Sequence, residues 1–541
     1  MISNTASASN LLQKKRKLED EREALARKLD DLDAEITKTQ AEYGELCNRN
    51  TPILALPVEV TCLIFRETFS TIVPAETKDP NYQTFELTEV DITHVCRQWR
   101  SVAISLPILW TTFYYFGSTA SAATLDRFEV YLERSKTRLL ELWFEFRGTN
   151  DREEALHRTA FEKAIMHVDR WRLLTVFSSS ETEAKSSFNS EVLTLLKPLH
   201  APNLEHFALY PDVPYESYGT MLHSSNTIQQ NLQPGIFSEG APKLRSVWMD
   251  TSTPVLYLPP LANVTTLRIE FGAESVDMII SILSFRALLA IPTLENVSFH
   301  EAICTNPTSH HTELIHMNRL KHLRFGNELL CNMLPDIRAP LLETLVIHNG
   351  LIESDYYTDA RRAGEPYTFP SLKSIALIDV ACENKATMWY FSRMTRNATQ
   401  VTITQVDQDE AILQAIDDLP EKEEEFWPNL RTLSCDIETS YTEDIAVLLR
   451  IATCWDRYKR GLTLKMPMAQ AAQWRAVSPP HATYEMVSSL CTIEELVAND
   501  LRDQGPWPPG EEDTLDRRLD FYDADPFRIR IRGLAFHINY V

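Results

Sequence analysis

The side chains of this 541-residue chain best suited to chemistry are histidines in its middle third. His310 and His311, with Glu313 and His316, form the densest patch, and His300-Glu301 is followed by Cys304. Imidazole, carboxylate and thiolate are ordinary zinc ligands, so each patch is a candidate metal site. Neither has the spacing that makes one. Cys304 stands where a zinc-binding helix needs a second histidine, and the His310 patch has no ordered supporting ligands. Glycine is scarce, 14 residues in all, and there is no Gly-rich phosphate loop, nucleophile elbow or zinc-knuckle cysteine pair. The residues therefore predict no enzyme, with no catalytic residue, metal or cofactor.

The informative stretch runs from Leu56 to Trp110. On a helical wheel Leu56, Val60, Leu63 and Ile64 cluster on one side, and Val58, Cys62, Phe65 and Phe69 on the other. A short helix apolar on both sides must be covered on both sides. So small a unit cannot do that from its own residues, which predicts a docking module. Ile92, Val95, Cys96, Trp99, Val102, Ala103 and Leu106 follow the spacing of one apolar stripe, predicting a single second helix that Pro107 ends. Cys96 sits in that stripe as a small core residue. Between the two helices, Arg66 to Val90 reads as a loop because it holds Pro74 and Pro80.

Leu56-Pro57-Val58-Glu59-Val60, Ile64-Phe65, Val95-Cys96-Arg97-Gln98-Trp99-Arg100 and Leu109-Trp110 together resemble the F-box, in the F-box-like form abundant in mushroom-forming fungi. The resemblance implies that the module grips the Skp adaptor of a cullin–RING ubiquitin ligase while the rest of the chain selects a protein target. It implies Leu56, Pro57, Val58, Val60, Ile64 and Phe65 as adaptor contacts, with Trp99 and Trp110 holding the second helix and its following turn.

Composition sets outer bounds. Hydrophobic residues make up 44% and charged residues 24%, as in ordinary globular proteins. A formal charge of -23 argues against binding nucleic acid by neutralising phosphates, and it repels anionic membranes. The start of the chain lacks the basic-then-apolar order of a signal peptide, and no apolar run is long enough to span a membrane. Nine scattered cysteines suit reduced thiols in the cytosol or nucleus. Asn-x-Ser/Thr triplets at Asn263, Asn296 and Asn397 read as chance matches, the first two within predicted strands.

After a polar tail over 1–10, Leu11 to Leu46 reads as one helix. Leu18, Leu25, Leu32 and Leu46 fall at heptad position d, and Leu29, Ile36 and Tyr43 at a, with Arg22 and Thr39 weakening the seam. Two readings stand: a coiled coil pairing two copies, or a charged helix folded back on the chain's own module. Lys14-Lys15-Arg16-Lys17 is either an import signal or a solvated face compensated by Glu19, Asp20, Glu21 and Glu23.

Beyond Trp110 the frame L-x-x-h-x-h recurs, often announced by proline: Pro202-Asn203-Leu204, Pro242-Lys243-Leu244, Val264, Pro292-Thr293-Leu294, Leu320, Pro340-Leu341-Leu342, Pro370-Ser371-Leu372 and Pro428-Asn429-Leu430. Each copy predicts a short strand that cannot bury its apolar face alone, so neighbours must stack. Leu139–Phe144 and Trp171–Phe177 read as earlier, degenerate copies around a helix over Glu153–Val168, and Phe527–Ile531 as a capping strand. The acidic run Asp417–Glu425 reads as a solvated loop.

The expected fold class is α/β: a helix over 11–49, a small all-α F-box over 50–116, and an irregular leucine-rich-repeat-like solenoid with a C-terminal cap over 117–541. The alternative to the solenoid is an α/β domain whose strands merely resemble one another. The expected function is a substrate receptor whose repeats offer a broad concave surface to a target. The alternative is an interaction scaffold dimerising through residues 11–46.

Overall fold

A computed structural model describes residues 2–49, 51–71, 87–117, 121–146, 151–178, 192–210, 232–249 and 257–270, most of 279–353 and 369–404, then shorter stretches from Trp427 to Leu496 and Trp507-Pro508. The chain divides after Leu109 into two compact units.

The first unit is helical. Helix α1 runs over Ile2–Arg49, so the polar start expected as a tail already belongs to the helix. Then come α2 (Val58–Thr71), α3 (Thr88–Val95) and α4 (Arg97–Ser105). The single second helix predicted from the apolar stripe is in fact two. Cys96 breaks it with extended backbone (φ -158°, ψ 169°), and its Sγ caps α4 by accepting from the Trp99 amide at 3.4 Å. Arg100 Nε donates to the Thr93 carbonyl at 2.7 Å across the break, which satisfies one of the orphan carbonyls at the end of α3. The expected loop is also shorter, since α2 continues to Thr71 and α3 starts at Thr88; Pro74 and Pro80 lie outside the described residues.

The second unit is mixed α/β, built on one open parallel sheet of 14 strands in chain order. They are β1 (Thr112–Phe116), β2 (Leu140–Phe146), β3 (Trp171–Ser178), β4 (His206–Tyr210), β5 (Ser246–Met249), β6 (Thr266–Ile269) and β7 (Asn296–His300). The order continues with β8 (His322–Gly326), β9 (Thr344–His348), β10 (Ser374–Ile378), β11 (Gln400–Thr404), β12 (Thr432–Asp436), β13 (Thr463–Met466) and β14 (Thr492–Glu495). β1 was assigned to the helical module by the sequence; it pairs with β2 and so belongs to the sheet.

The recurring frame has a local cause. The leucine-like residue of each copy closes a tight turn, its amide donating to the carbonyl three residues back: Leu204 to Ala201, Leu244 to Ala241, Val264 to Leu261, Leu294 to Ile291, and so on to Leu430 and Trp427. Each of these side chains is buried. The residue just before it often reaches back to the preceding copy. Asn203 Nδ2 donates to the Asp169 carbonyl at 2.7 Å, Asn263 Nδ2 to Pro242 at 2.9 Å, Ser371 Oγ to Pro340 at 2.7 Å and Asn397 Nδ2 to Pro370 at 2.9 Å. Asn263 is therefore a turn residue, not a strand residue as expected.

Helices cover one face of the sheet. α5 (Ala122–Arg134), capped by Ser121 Oγ, sets Phe128 against Phe113 at 4.4 Å between ring centroids, and α6 (Asp151–Ile165) sets Phe161 against Phe144 at 5.4 Å. Further on, α7 (Ile282–Leu289) brings Phe285 onto Phe299 at 4.8 Å. Trp110 is 2% exposed and packs edge-on against Tyr131 of α5 with Arg134 over its ring, so it anchors α5.

Gly326, at the end of β8, lies between His300 and His348, whose rings stack at 5.5 Å. A Cβ there would stand 2.7 Å from His300 Cδ2. Gly326→Ala is expected to destabilise the sheet by about 1–3 kcal/mol, the usual cost of overpacking, read from the denaturant midpoint. No helix among the described residues is long and apolar enough to cross a membrane.

Candidate functional site

Pro57 opens α2, its carbonyl accepting from the amides of Val60 and Thr61 at 3.0 and 3.1 Å. The inner flank of the helix is sealed: Thr61 is 4% and Phe65 2% exposed, and Phe65 meets the Trp99 ring edge-on at 5.0 Å. The outer flank is open. Val60 is 38%, Leu63 49% and Ile64 37% exposed, Ile53 just ahead is 40% exposed, and Val58, in the first turn on the flank of Phe65, is 51% exposed. Pro57 is exposed and Leu56 half-buried beside them. Of the six expected contact residues, Phe65 is the correction. Its ring is part of the module's own core and offers no surface to a partner. Phe69's side chain lies outside the described residues.

On α1, Leu11, Leu18, Leu25, Leu29, Leu32, Ile36, Tyr43 and Leu46 are all 48–69% exposed. The alternative in which this seam folds back on the chain is therefore not what the structure has. The end of α1 is tied down by Arg97 to Glu45 at 2.7 Å. Lys14–Lys17 lie on its exposed surface, with Lys15 paired to Glu19 at 3.5 Å.

The sheet face opposite the helices is the second candidate surface, and it departs most from expectation. Residues facing each other across neighbouring strands form one row: Trp143, Thr175, Ala208, Trp248, Arg268, Ser298, Arg324, Val346 and Ala376. A surface free to meet a target would leave these exposed. Apart from half-buried Val346 they are buried, Trp143 at 1%, Arg268 at 7% and Arg324 at 2%.

At the centre of the row lies an ion cluster. Glu270, wholly buried, accepts from Arg268 Nη2 at 2.9 Å and Arg324 Nη2 at 2.8 Å, and Ser298 Oγ also donates to it. Arg324 Nε in turn donates to Ser298 Oγ at 2.7 Å. Burial alone would raise the Glu270 carboxyl, but Arg268 and Arg324 outweigh it and hold the group at about 2. Arg268 stacks on Trp248, its Cζ 3.8 Å from the ring centroid, and Trp507 lies over Arg324 at 4.4 Å.

Nothing in the local sequence marks this cluster. Arg268 sits between Leu267 and Ile269, and Arg324 between Leu323 and Phe325. Alternation alone puts such residues on a solvated face, and nothing local says that the face is covered.

Most of the residues of the two metal candidates are not described. His310, His311 and Glu313 lie outside the described residues, while His316 is exposed on a short strand and His300 is buried against His348. Among the described residues no group of three His, Cys, Asp or Glu side chains could hold a metal ion. Burial pushes the Cys382 and Cys491 thiols up to about 11, leaving both weak nucleophiles at neutral pH. The acidic run 417–425 and the capping strand 527–531 lie outside the described residues. No family model matches the chain, and no curated protein matches it.

Proposed function

We propose that the chain is an F-box-like substrate receptor of a Skp–cullin–F-box ubiquitin ligase, with an irregular leucine-rich-repeat solenoid behind the module. The observation that carries the reading is the open outer flank of α2. Val58, Val60, Leu63 and Ile64 stand exposed on a helix whose inner flank is already filled by Phe65 and Trp99. Contiguous exposed apolar side chains on a small helical module mark a protein-binding surface. Val58, Val60 and Ile64 are also among the residues that the F-box resemblance assigns to the Skp adaptor, and Leu56 and Pro57, which it also assigns, lie beside them. The solenoid reading is supported by the repeated turn, the strands in unbroken chain order and the helices gathered on one face.

In this reading the chain performs no chemistry. It raises the local concentration of a target beside the ligase. The test is capture of purified Skp adaptor by the purified full chain. Absence of binding at micromolar concentrations would remove the reading.

The exposed seam of α1 favours a second reading, pairing of two copies through residues 11–46. Lys28 at g and Asp33 at e would attract across a parallel pair. Light scattering of the intact protein is expected to give twice the chain mass, falling to the single-chain mass in Leu25→Ser/Leu32→Ser. A wild-type monomer at tens of micromolar would exclude pairing.

A further inference from the structure

Resting on the proposal that this sheet selects a target, we infer that the covered row on β5–β8 is a recognition groove for an aromatic side chain followed by proline. Trp507-Pro508 of this chain occupies it as an internal stand-in. Arg268 and Arg324 direct in-plane N–H groups at Glu270 and Ser298, which leaves the flat faces of the guanidinium groups for stacking. Those faces take rings. Trp248 lies 3.8 Å from Arg268 Cζ, while Trp507 lies 4.4 Å from Arg324 Cζ and 5.7 Å from Arg268 Cζ. Such a groove suits a π face, and an aliphatic side chain of equal size would forgo the cation–π attraction.

The occupant fits a short linear segment. Pro508, beside Trp507, is buried, and the sequence Gln504-Gly505-Pro506-Trp507-Pro508-Pro509-Gly510 carries no charge and three prolines. Prolines fix φ in the free segment as well, so less backbone entropy is lost on docking. Farther along the sheet, Leu496 shares a buried cluster with Ala376 and Ile378, a second point at which the C-terminal part of the chain meets this unit's core.

The test uses the full chain and a fluorescent peptide of residues 504–510. Trp507→Ala is expected to bind the peptide at least about tenfold more tightly than the wild type, whose own Trp507 competes at high effective concentration. A peptide with leucine in place of its tryptophan should bind the variant at least about tenfold more weakly. Trp507→Leu, which keeps an apolar plug without a π face, carries the same expectation and guards against collapse of the alanine variant. Equal binding by wild type and variants, no binding to either variant, or indifference to the leucine exchange would overturn the inference. Adaptor capture is read separately, so the two proposals fail independently.

Discussion

Changing Val60 and Ile64 together to aspartate is expected to abolish capture of the Skp adaptor while leaving the helical module folded. The two side chains are four residues apart on α2, hence on one face, and each is more than a third exposed. Neither belongs to the buried core, and aspartate inside a helix costs only about 0.7 kcal/mol per residue in propensity. At a docked interface the effect is far larger. Truncating one central apolar anchor commonly costs about 2 kcal/mol, and a buried carboxylate adds its desolvation. Two such changes together predict a loss of about 4 kcal/mol or more, roughly a thousandfold in affinity. Phe65→Ala is the contrasting control. It too should lose capture, but by removing a ring from the core, at about 3–5 kcal/mol of stability. Circular dichroism separates the cases: a folded double aspartate variant that still captures adaptor would remove α2 as the interface.

How much of this was legible in the sequence differs by element. Most strands were, because the frame around Leu204, Leu294, Leu342 or Leu372 combines an announcing turn with alternating apolar residues, and both have direct backbone causes. β11, β13 and β14 were missed, β11 because Ala398 stands at its leucine-like position without a preceding proline. The turn is nonetheless the same, with Ala398 donating to the Thr395 carbonyl at 2.9 Å. In the module, the break at Cys96 was invisible because the stripe from Ile92 to Leu106 fits one helix as well as two; a thiol cap and the Arg100 bond to Thr93 decide it. The placement of Phe65 inside and Ile64 outside was open for a related reason. A helix apolar on both flanks does not say which flank its own chain will cover. The ion cluster under Trp507 was hidden most deeply, since its burial depends on chain more than 180 residues away from Arg324.

Glu270→Gln is expected to be the most destabilising single change on the sheet, by about 3–5 kcal/mol at neutral pH, because it leaves two buried guanidinium groups without the carboxylate they share. Acid should reveal the cause. Folded Glu270 is held at about 2 against an ordinary value of 4.5, so the unfolded chain takes up its proton first as the pH falls. The stabilisation is complete above pH 4.5 and is lost between there and pH 2. His206, on β4, is shifted in the same sense by another route: burial, with Arg172 and Arg245 nearby, lowers it to about 4 from 6.5. Its neutral form belongs to the fold, so protonation of the unfolded chain erodes stability between pH 6.5 and 4. The wild-type profile should therefore descend through two adjoining windows. Glu270→Gln should lose the lower window and converge on the wild type near pH 2, whereas His206→Gln should lose the upper one alone. Denaturant midpoints measured from pH 7 to pH 2 read both. A Glu270→Gln difference that stayed constant across that range would mean that the amide disrupts packing, and that the charge of Glu270 contributes nothing.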